Sequence, residues 1–332
     1  MAHLADALRE YALAAGLLEA GAYPELMTVV DKVEPAASAI TPEAIGSLRP
    51  QTLVLTFLGN AVLGRNIAVV SASFIDVLAR LGVAEQAARS TLTRMVNRGL
   101  LARYRRGRHT YFGLTPRAVA VLTEGEHRVW RVGAVNGDGE PRWTLLGFSL
   151  PESRRDDRHL IRSRLRWAGF GLLRSGLWIA PGVVDVAAVL PDRRLLNDVL
   201  VFLAEPAEPT DIDQVVGEAY DLDAIASGYR RFLHRWDRPR PLSAAPDDLA
   251  RLLWLLSEWF LLLRDDPRLP RRHLPSAWPA GAAEELFHRH HAQLQPAARR
   301  ITDAVLDVIE LGTDSTPQVA GTREKRPGSP VT

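Results

Sequence analysis

Two short amphipathic stretches, each closed by a glycine, run straight into an arginine-rich hairpin between residues 71 and 114. Nothing else constrains this chain as strongly. Ser71 or Ser73 is placed to cap a helix through Leu81, and Gly82 supplies the left-handed residue that ends it. A second helix is predicted from Ala84 to Arg98, stopped by Gly99. Then come Leu-Leu-Ala-Arg-Tyr-Arg at 100–105, the turn Arg106-Gly107-Arg108, and His-Thr-Tyr-Phe-Gly-Leu at 109–114. Helix, sharp turn, helix and β-hairpin is the order of a winged helix-turn-helix.

The second helix has two faces. Ala88, Leu92, Met95 and Val96 recur at helical spacing and form its core side. Gln86, Ser90, Thr93 and Asn97 lie about half a turn away, flanked by Arg89 and Arg94. Gln bonds adenine and Arg grips guanine in the major groove, while Ser and Thr bond bases or phosphates. The N-terminal part of such a helix reaches deepest. Gln86, Arg89, Ser90, Thr93 and Arg94 are therefore the expected readers of duplex DNA. Arg105, Arg106 and Arg108 on the wing suit phosphates or the neighbouring minor groove. Between residues 85 and 112 the sole acid is Glu85, against Arg89, Arg94, Arg98, Arg103, Arg105, Arg106 and Arg108.

That basicity is local. The 332 residues carry 41 Lys+Arg and 39 Asp+Glu, a net charge of +2, so the molecule as a whole is no polycation. Only Lys32 and Lys325 are lysines, so arginine is the habitual cation and a solvated basic face is the plain alternative. The first 46 residues are acidic, with Asp6, Glu10, Glu19, Glu25, Asp31, Glu34 and Glu43 outnumbering Arg9 and Lys32, and are not expected to touch DNA. With no cysteine, disulfides, thiol catalysis and cysteine-ligated zinc are excluded. Asp6, Arg9 and Glu10 interrupt the apolar N-terminus, which does not read as a signal peptide, and no apolar run is long enough to span a bilayer. A cytoplasmic protein is expected.

The length calls for two or three domains. Residues 1–46 read as a helical extension, with a stripe of Leu4, Leu8, Tyr11, Ala15 and Leu18 followed by a proline-marked tether. Residues 47–125 hold the winged helix: Ser47 caps its first helix, through Leu63, and Thr115-Pro116 opens its last. From 140 to 220 the order is strand (143–150), helix (154–167), a hairpin around Arg174-Ser175, a helix at 184–190 or 192–197, and a strand (198–204), which is ferredoxin-like. Residues 221–311 read as helices at 222–236, from Asp247, at 283–294 and at 297–311; 312–332 read as a disordered tail.

At three separated places the chain resembles the PaaX-type regulators, the family of the repressor of phenylacetic-acid degradation. Residues 87–101, Ala-Ala-Arg-Ser-Thr-Leu-Thr-Arg-Met-Val-Asn-Arg-Gly-Leu-Leu, are similar to its recognition helix and wing entry. Gly169-Phe170-Gly171 with Gly176-Leu177-Trp178-Ile179-Ala180-Pro181 resembles its middle-domain signature. Residues 264–270 with Leu274-Pro275, Trp278-Pro279 and Leu286-Phe287 resemble its third domain. The resemblance implies an α+β, multidomain repressor with an N-terminal winged helix, a central ferredoxin-like domain similar to the CRISPR-associated nucleases, and a helical C-terminal domain. It further implies a homodimer that binds operator DNA and leaves it when an acyl-CoA, typically phenylacetyl-CoA, binds. No effector residue carries over.

Other chemistries find little here. The 143–150 strand ends Gly-Phe-Ser-Leu, without the carboxylate a nuclease of this fold needs for a hard cation. His288 and His291 share a helix face but have no third ligand fixed by spacing, so no metal is expected. There is no phosphate loop and no nucleophile elbow, hence no catalytic residues, no enzyme and no cofactor. Trp167, Trp178, Trp254, Trp259 and Trp278, with Arg162, Arg164, Arg166 or Arg174, are the aromatic and cationic groups from which an effector pocket would draw. The rival function is an adaptor whose winged helix contacts a protein rather than DNA.

Overall fold

The computed structural model describes residues 48–132, 134, 142–190, 192–238 and 241–312. The expected N-terminal helix, the Ser47 cap and the tail beyond Gly312 lie outside them. Over the described residues the chain is mixed α and β, with two four-stranded antiparallel sheets.

The first sheet is built around α1 (Pro50–Ala61), β1 (Ile67–Val70), α2 (Ser71–Arg80), α3 (Glu85–Asn97), β2 (Leu101–Arg106), β3 (His109–Leu114) and α4 (Pro116–His127), which runs on as a π-helical turn, Arg128–Val132. Phe74 from α2 meets Phe57 edge-on at 5.7 Å and Phe112 at 6.0 Å, and Ala88, Leu92 and Met95 of α3 close the same core. Gly82 (φ +80°) and Gly99 (φ +67°) end α2 and α3 in the left-handed conformation that side chains disfavour. Thr115 caps α4 by accepting the Ala118 N–H.

The second sheet comes from β4 (Trp143–Phe148), α5 (Arg155–Trp167), β5 (Gly171–Arg174), β6 (Leu177–Pro181), α6 (Val186–Val189), α7 (Arg193–Leu196) and β7 (Val199–Ala204). Its order is β5-β6-β4-β7, so the last strand returns beside the first. Both sites considered for the second helix are helical, each for a single turn. An eight-residue helix that the sequence reading did not anticipate, α8 (Ile212–Ala219), follows and covers β5. At this crossing Gly171 has no room for a side chain. A Cβ there would stand 2.6 Å from the Ala219 carbonyl and 2.8 Å from the Tyr220 ring. The Tyr220 hydroxyl reaches the Ile179 and Gly169 carbonyls at 2.7 and 3.0 Å.

Three long helices complete the chain: α9 (Leu222–Trp236), α10 (Asp248–Asp265) and α11 (Ala280–Val305). Trp259 stacks on Phe287 at 4.7 Å, and Tyr229 donates to the buried Asp266 at 2.6 Å. Their apolar core is continuous with that of α1–α4, and Ser257 of α10 donates to Thr56 of α1 at 2.9 Å.

Three expectations are corrected. Residues 283–294 and 297–311 are not two helices: α11 runs unbroken through Pro296. Pro296 and Ala292, whose carbonyl loses its partner, both face solvent, where water replaces the missing bond. The helix then stops at Val305, and Val308–Glu310 forms β8, which pairs with β1 and gives the first sheet the order β2-β3-β1-β8. Neither Ser71 nor Ser73 caps α2. Ser73 is buried instead and bonded to the chain around β8.

Candidate nucleic-acid interface

Packing of Ala88, Thr91, Leu92 and Met95 fixes the rotation of α3. Gln86, Arg89, Ser90, Thr93, Arg94 and Asn97 are consequently all exposed along its other side. Several hold one another. Arg89 Nη2 lies 2.7 Å from Glu85 Oε1, Arg94 donates to Ser90 Oγ at 2.8 Å and Thr91 Oγ1 at 2.9 Å, and Thr93 Oγ1 donates to the Arg89 carbonyl at 3.0 Å. An exposed pair of this kind is worth at most about 1 kcal/mol, whereas a bidentate arginine–guanine contact is worth about 1–3 kcal/mol. Exchange of one for the other is favourable.

The β2–β3 hairpin, the expected wing, turns tightly. Arg106 pairs with His109, leaving Gly107 and Arg108 at the tip, with Gly107 at φ +59°. Arg105, Arg106 and Arg108 are exposed. The remaining arginines serve the scaffold: Arg103 lies 5.9 Å over the Phe112 ring, and Arg98 donates to Gln51 Oε1 at 2.9 Å. Burial pushes the Tyr104 phenol above its usual range.

Positioning residues went unnoticed in the sequence. Arg117 donates to the Arg98 carbonyl at 2.9 Å and Thr115 Oγ1 donates to the Gly99 carbonyl at 2.7 Å, pinning the link between α3 and the wing to α4. Gln51 does the same from α1. Their pairings are long-range, and only the Thr115-Pro116 cap leaves a local signal.

Two cavities stand out among the described residues, neither of them lined by α3 or the hairpin. One, about 240 Å³, sits between α1, α4 and α10 among Leu55, Leu122, Val129 and Phe260. The other, about 450 Å³, joins α5, β5, β6, the α8–α9 junction and the end of α10. Arg166, Trp167, Phe170, Trp178 and Tyr220 line it. Of the four arginines considered, only Arg166 reaches it, and Arg164 is buried at 2% exposure. The indole N–H of Trp178 is buried with no acceptor among the described residues. Trp254 and Trp259 belong to the helical core. His288 and His291 flank Trp130, with ring centroids 6.0 and 4.6 Å away. Among the described residues no group of three or more His, Asp or Glu side chains is arranged to hold a metal, and no helix is long and apolar enough to cross a membrane.

Comparison with known proteins follows the same three-part division. Residues 49–118 match the PaaX-like protein model, 136–216 the PaaX protein central Cas2-like domain, and 220–304 the PaaX-like protein C-terminal domain. The chain belongs to the PaaX family. Transcriptional repressor PaaX of Escherichia coli (strain K12) is 25% identical over 260 residues, covering 74% of this chain and 81% of that protein. The family is one of transcriptional repressors rather than enzymes. The uncharacterized protein Rv0674 from Mycobacterium tuberculosis shares the fold, with a TM-score of 0.53 at 22% identity over 76% of this chain and 99% of its own.

Proposed function

We propose that this chain is a ligand-responsive, dimeric transcriptional repressor of an aromatic-acid catabolic operon of the phenylacetate type, acting in the cytoplasm. Residues 47–125 form the winged helix-turn-helix, 140–220 the ferredoxin-like middle domain and 221–311 the helical domain, whose final strand joins the sheet of the first. The observation that carries this reading is the acid-poor, exposed surface made by Gln86, Arg89, Ser90, Thr93 and Arg94 on α3 with Arg105, Arg106 and Arg108 on the wing. α3 lies in the major groove and the wing on phosphates or in the minor groove. Two copies read a palindrome with half-sites one helical turn, or a multiple, apart.

The effector is an acyl-CoA of an aromatic acid. The 450 Å³ cavity falls within the size range of small-molecule sites. It offers aromatic faces from Trp167 and Phe170 and the Arg166 cation. A ligand there shifts the dimer toward a geometry with the wrong half-site spacing, by as much as its affinities for the two states differ.

The test is to recover the genomic fragments that the full-length protein retains, titrate binding with salt, and add candidate acyl-CoA thioesters. A repressor gives a steep salt slope and release by one thioester. Binding without salt dependence, or none, assigns the winged helix to a protein partner instead.

A further inference from the structure

Arg128 ties together two elements that the chain order keeps apart. It opens the π-helical turn that follows α4, and its partner Trp167 is the last residue of α5. Arg128 Nη2 donates to the Trp167 carbonyl at 2.8 Å, and its guanidinium carbon stands 4.2 Å from the centroid of the same indole. A carbonyl at the end of a helix has no partner within that helix, so this one is bound from outside. A planar guanidinium can stack on a ring and donate from its edge at once, which a lysine ammonium cannot. Glu124, one turn earlier on α4, accepts from Arg128 Nε at 3.4 Å and steadies the group. A second contact joins the same elements. The Trp167 ring lies 6.1 Å from Phe260 of α10, and Phe260 presses on α4 at Gly125, where a Cβ would come within 3.3 Å of it. Trp167 lines the 450 Å³ cavity, while Val129 and Trp130 of the π turn line the 240 Å³ one. The turn thus borders one cavity directly and the other through Trp167.

At its opposite end α4 holds the link between α3 and the β2–β3 hairpin, through Thr115 Oγ1 on the Gly99 carbonyl and Arg117 on the Arg98 carbonyl. A twelve-residue helix is a stiff rod of about 18 Å, so a displacement at one end is delivered to the other. We propose that Arg128 is the positioning residue that reports occupancy of the larger cavity to α3 and the hairpin; this rests on the ligand-responsive reading above. With the cavity empty, the stack and the carbonyl bond hold the end of α4 against α5. A ligand that packs on Trp167 and turns its ring, or shifts its carbonyl, breaks that pairing. The π turn then changes register, and α4 carries the change to Arg98 and Gly99. Such turns are rare and recur at functional sites. The response is as large as the difference in ligand affinity between the two arrangements.

The test uses the full-length protein, phenylacetyl-CoA as the probe and the retained genomic fragment as the operator. In the wild type the thioester is expected to weaken operator binding by a factor in the range of roughly 5–150 that such coupling spans. Arg128→Lys keeps the charge but loses the stack. It is expected to bind the thioester alone, and the operator alone, within about threefold of wild type, while the release factor falls below about twofold. A purely structural role would lower the melting temperature or both affinities and leave the factor standing. A wild-type factor in the folded variant overturns the assignment of Arg128 and leaves the ligand-responsive repressor intact. Hydrogen exchange on the wild type gives a check that needs no variant. The thioester is expected to change protection at residues 124–132 and 98–101, and a response in the hairpin with none in α4 overturns the relay. A wild type that ignores the thioester, or holds it without releasing the operator, overturns the ligand-responsive reading and the relay together.

Discussion

Ser73 Oγ donates to the Val305 carbonyl at 2.7 Å and accepts the Asp307 N–H at 3.1 Å. Helix α2, which precedes α3, thus clasps the chain where α11 ends and β8 begins. Both backbone groups are helix-end or strand-entry groups without another partner in the regular ladders, so Ser73→Ala leaves them unsatisfied. A loss of about 1–3 kcal/mol is expected, read by urea unfolding, with faster amide exchange across β8 than elsewhere in the sheet.

Arg89→Ala removes a guanidinium that the proposed function places in the major groove, and costs only an exposed pair with Glu85 in the free protein. Operator affinity is expected to fall by about 1–3 kcal/mol and discrimination at one base position to relax. Wild-type affinity in a fluorescence-anisotropy titration would remove α3 from the major groove.

Arg106 and Arg108 sit at the β2–β3 turn, where the proposed function puts phosphate contacts rather than base contacts, and each is replaced by Ala in turn. Each should weaken specific and random duplexes alike and flatten the slope of log affinity against log salt by about one. Loss confined to one sequence would instead place that arginine on a base.

Gly171→Ala drives a methyl group into the Ala219 carbonyl and the Tyr220 ring. Relief requires α8 to lift from β5, and overpacking of this kind costs about 1–3 kcal/mol, more where backbone must move. The melting temperature falls, and the Tyr220 bonds that border the larger cavity loosen with it.

Burial, and secondarily the neighbouring His288, hold His291 below the ordinary imidazole range. A base with a depressed folded pKa contributes stability that is full above its unfolded value, near 6.5, and is lost as pH falls through the folded one. The expected outcome is a wild-type melting temperature that declines between pH 7.5 and 5.5 more steeply than that of His291→Gln. Trp130, which packs on His291, reports the change by fluorescence.

Legibility followed the range of the interactions concerned. Gly82, Gly99 and Gly107 announced their turns because each occupies a left-handed position, a purely local demand. The outward face of α3 was legible because Ala88, Leu92 and Met95 fix its rotation by period alone. β8 was not: three residues after a long helix carry too little pattern, and their partner β1 lies some 240 residues earlier in the chain. The expected break between residues 294 and 297 falls at Pro296, where proline does remove a helix bond, but its exposure makes that removal tolerable. The α8 signal was present in the Asp211 cap with Val215, Val216 and Ala219, but spans just two turns. Gln51 and Arg117 act through contacts that no spacing encodes.

A strand supplied by the far end of the polypeptide gives β8 a bearing on synthesis. Residues near the N-terminus emerge from the ribosome and begin to fold first. Here the sheet that carries the β2–β3 hairpin waits for Val308–Glu310 before β1 gains its second neighbour. Chains broken off or clipped before residue 307 keep every arginine of α3 and the β2–β3 hairpin yet lack the last strand of that sheet. They are expected to form unfinished reading heads, so that repression is exercised by full-length molecules.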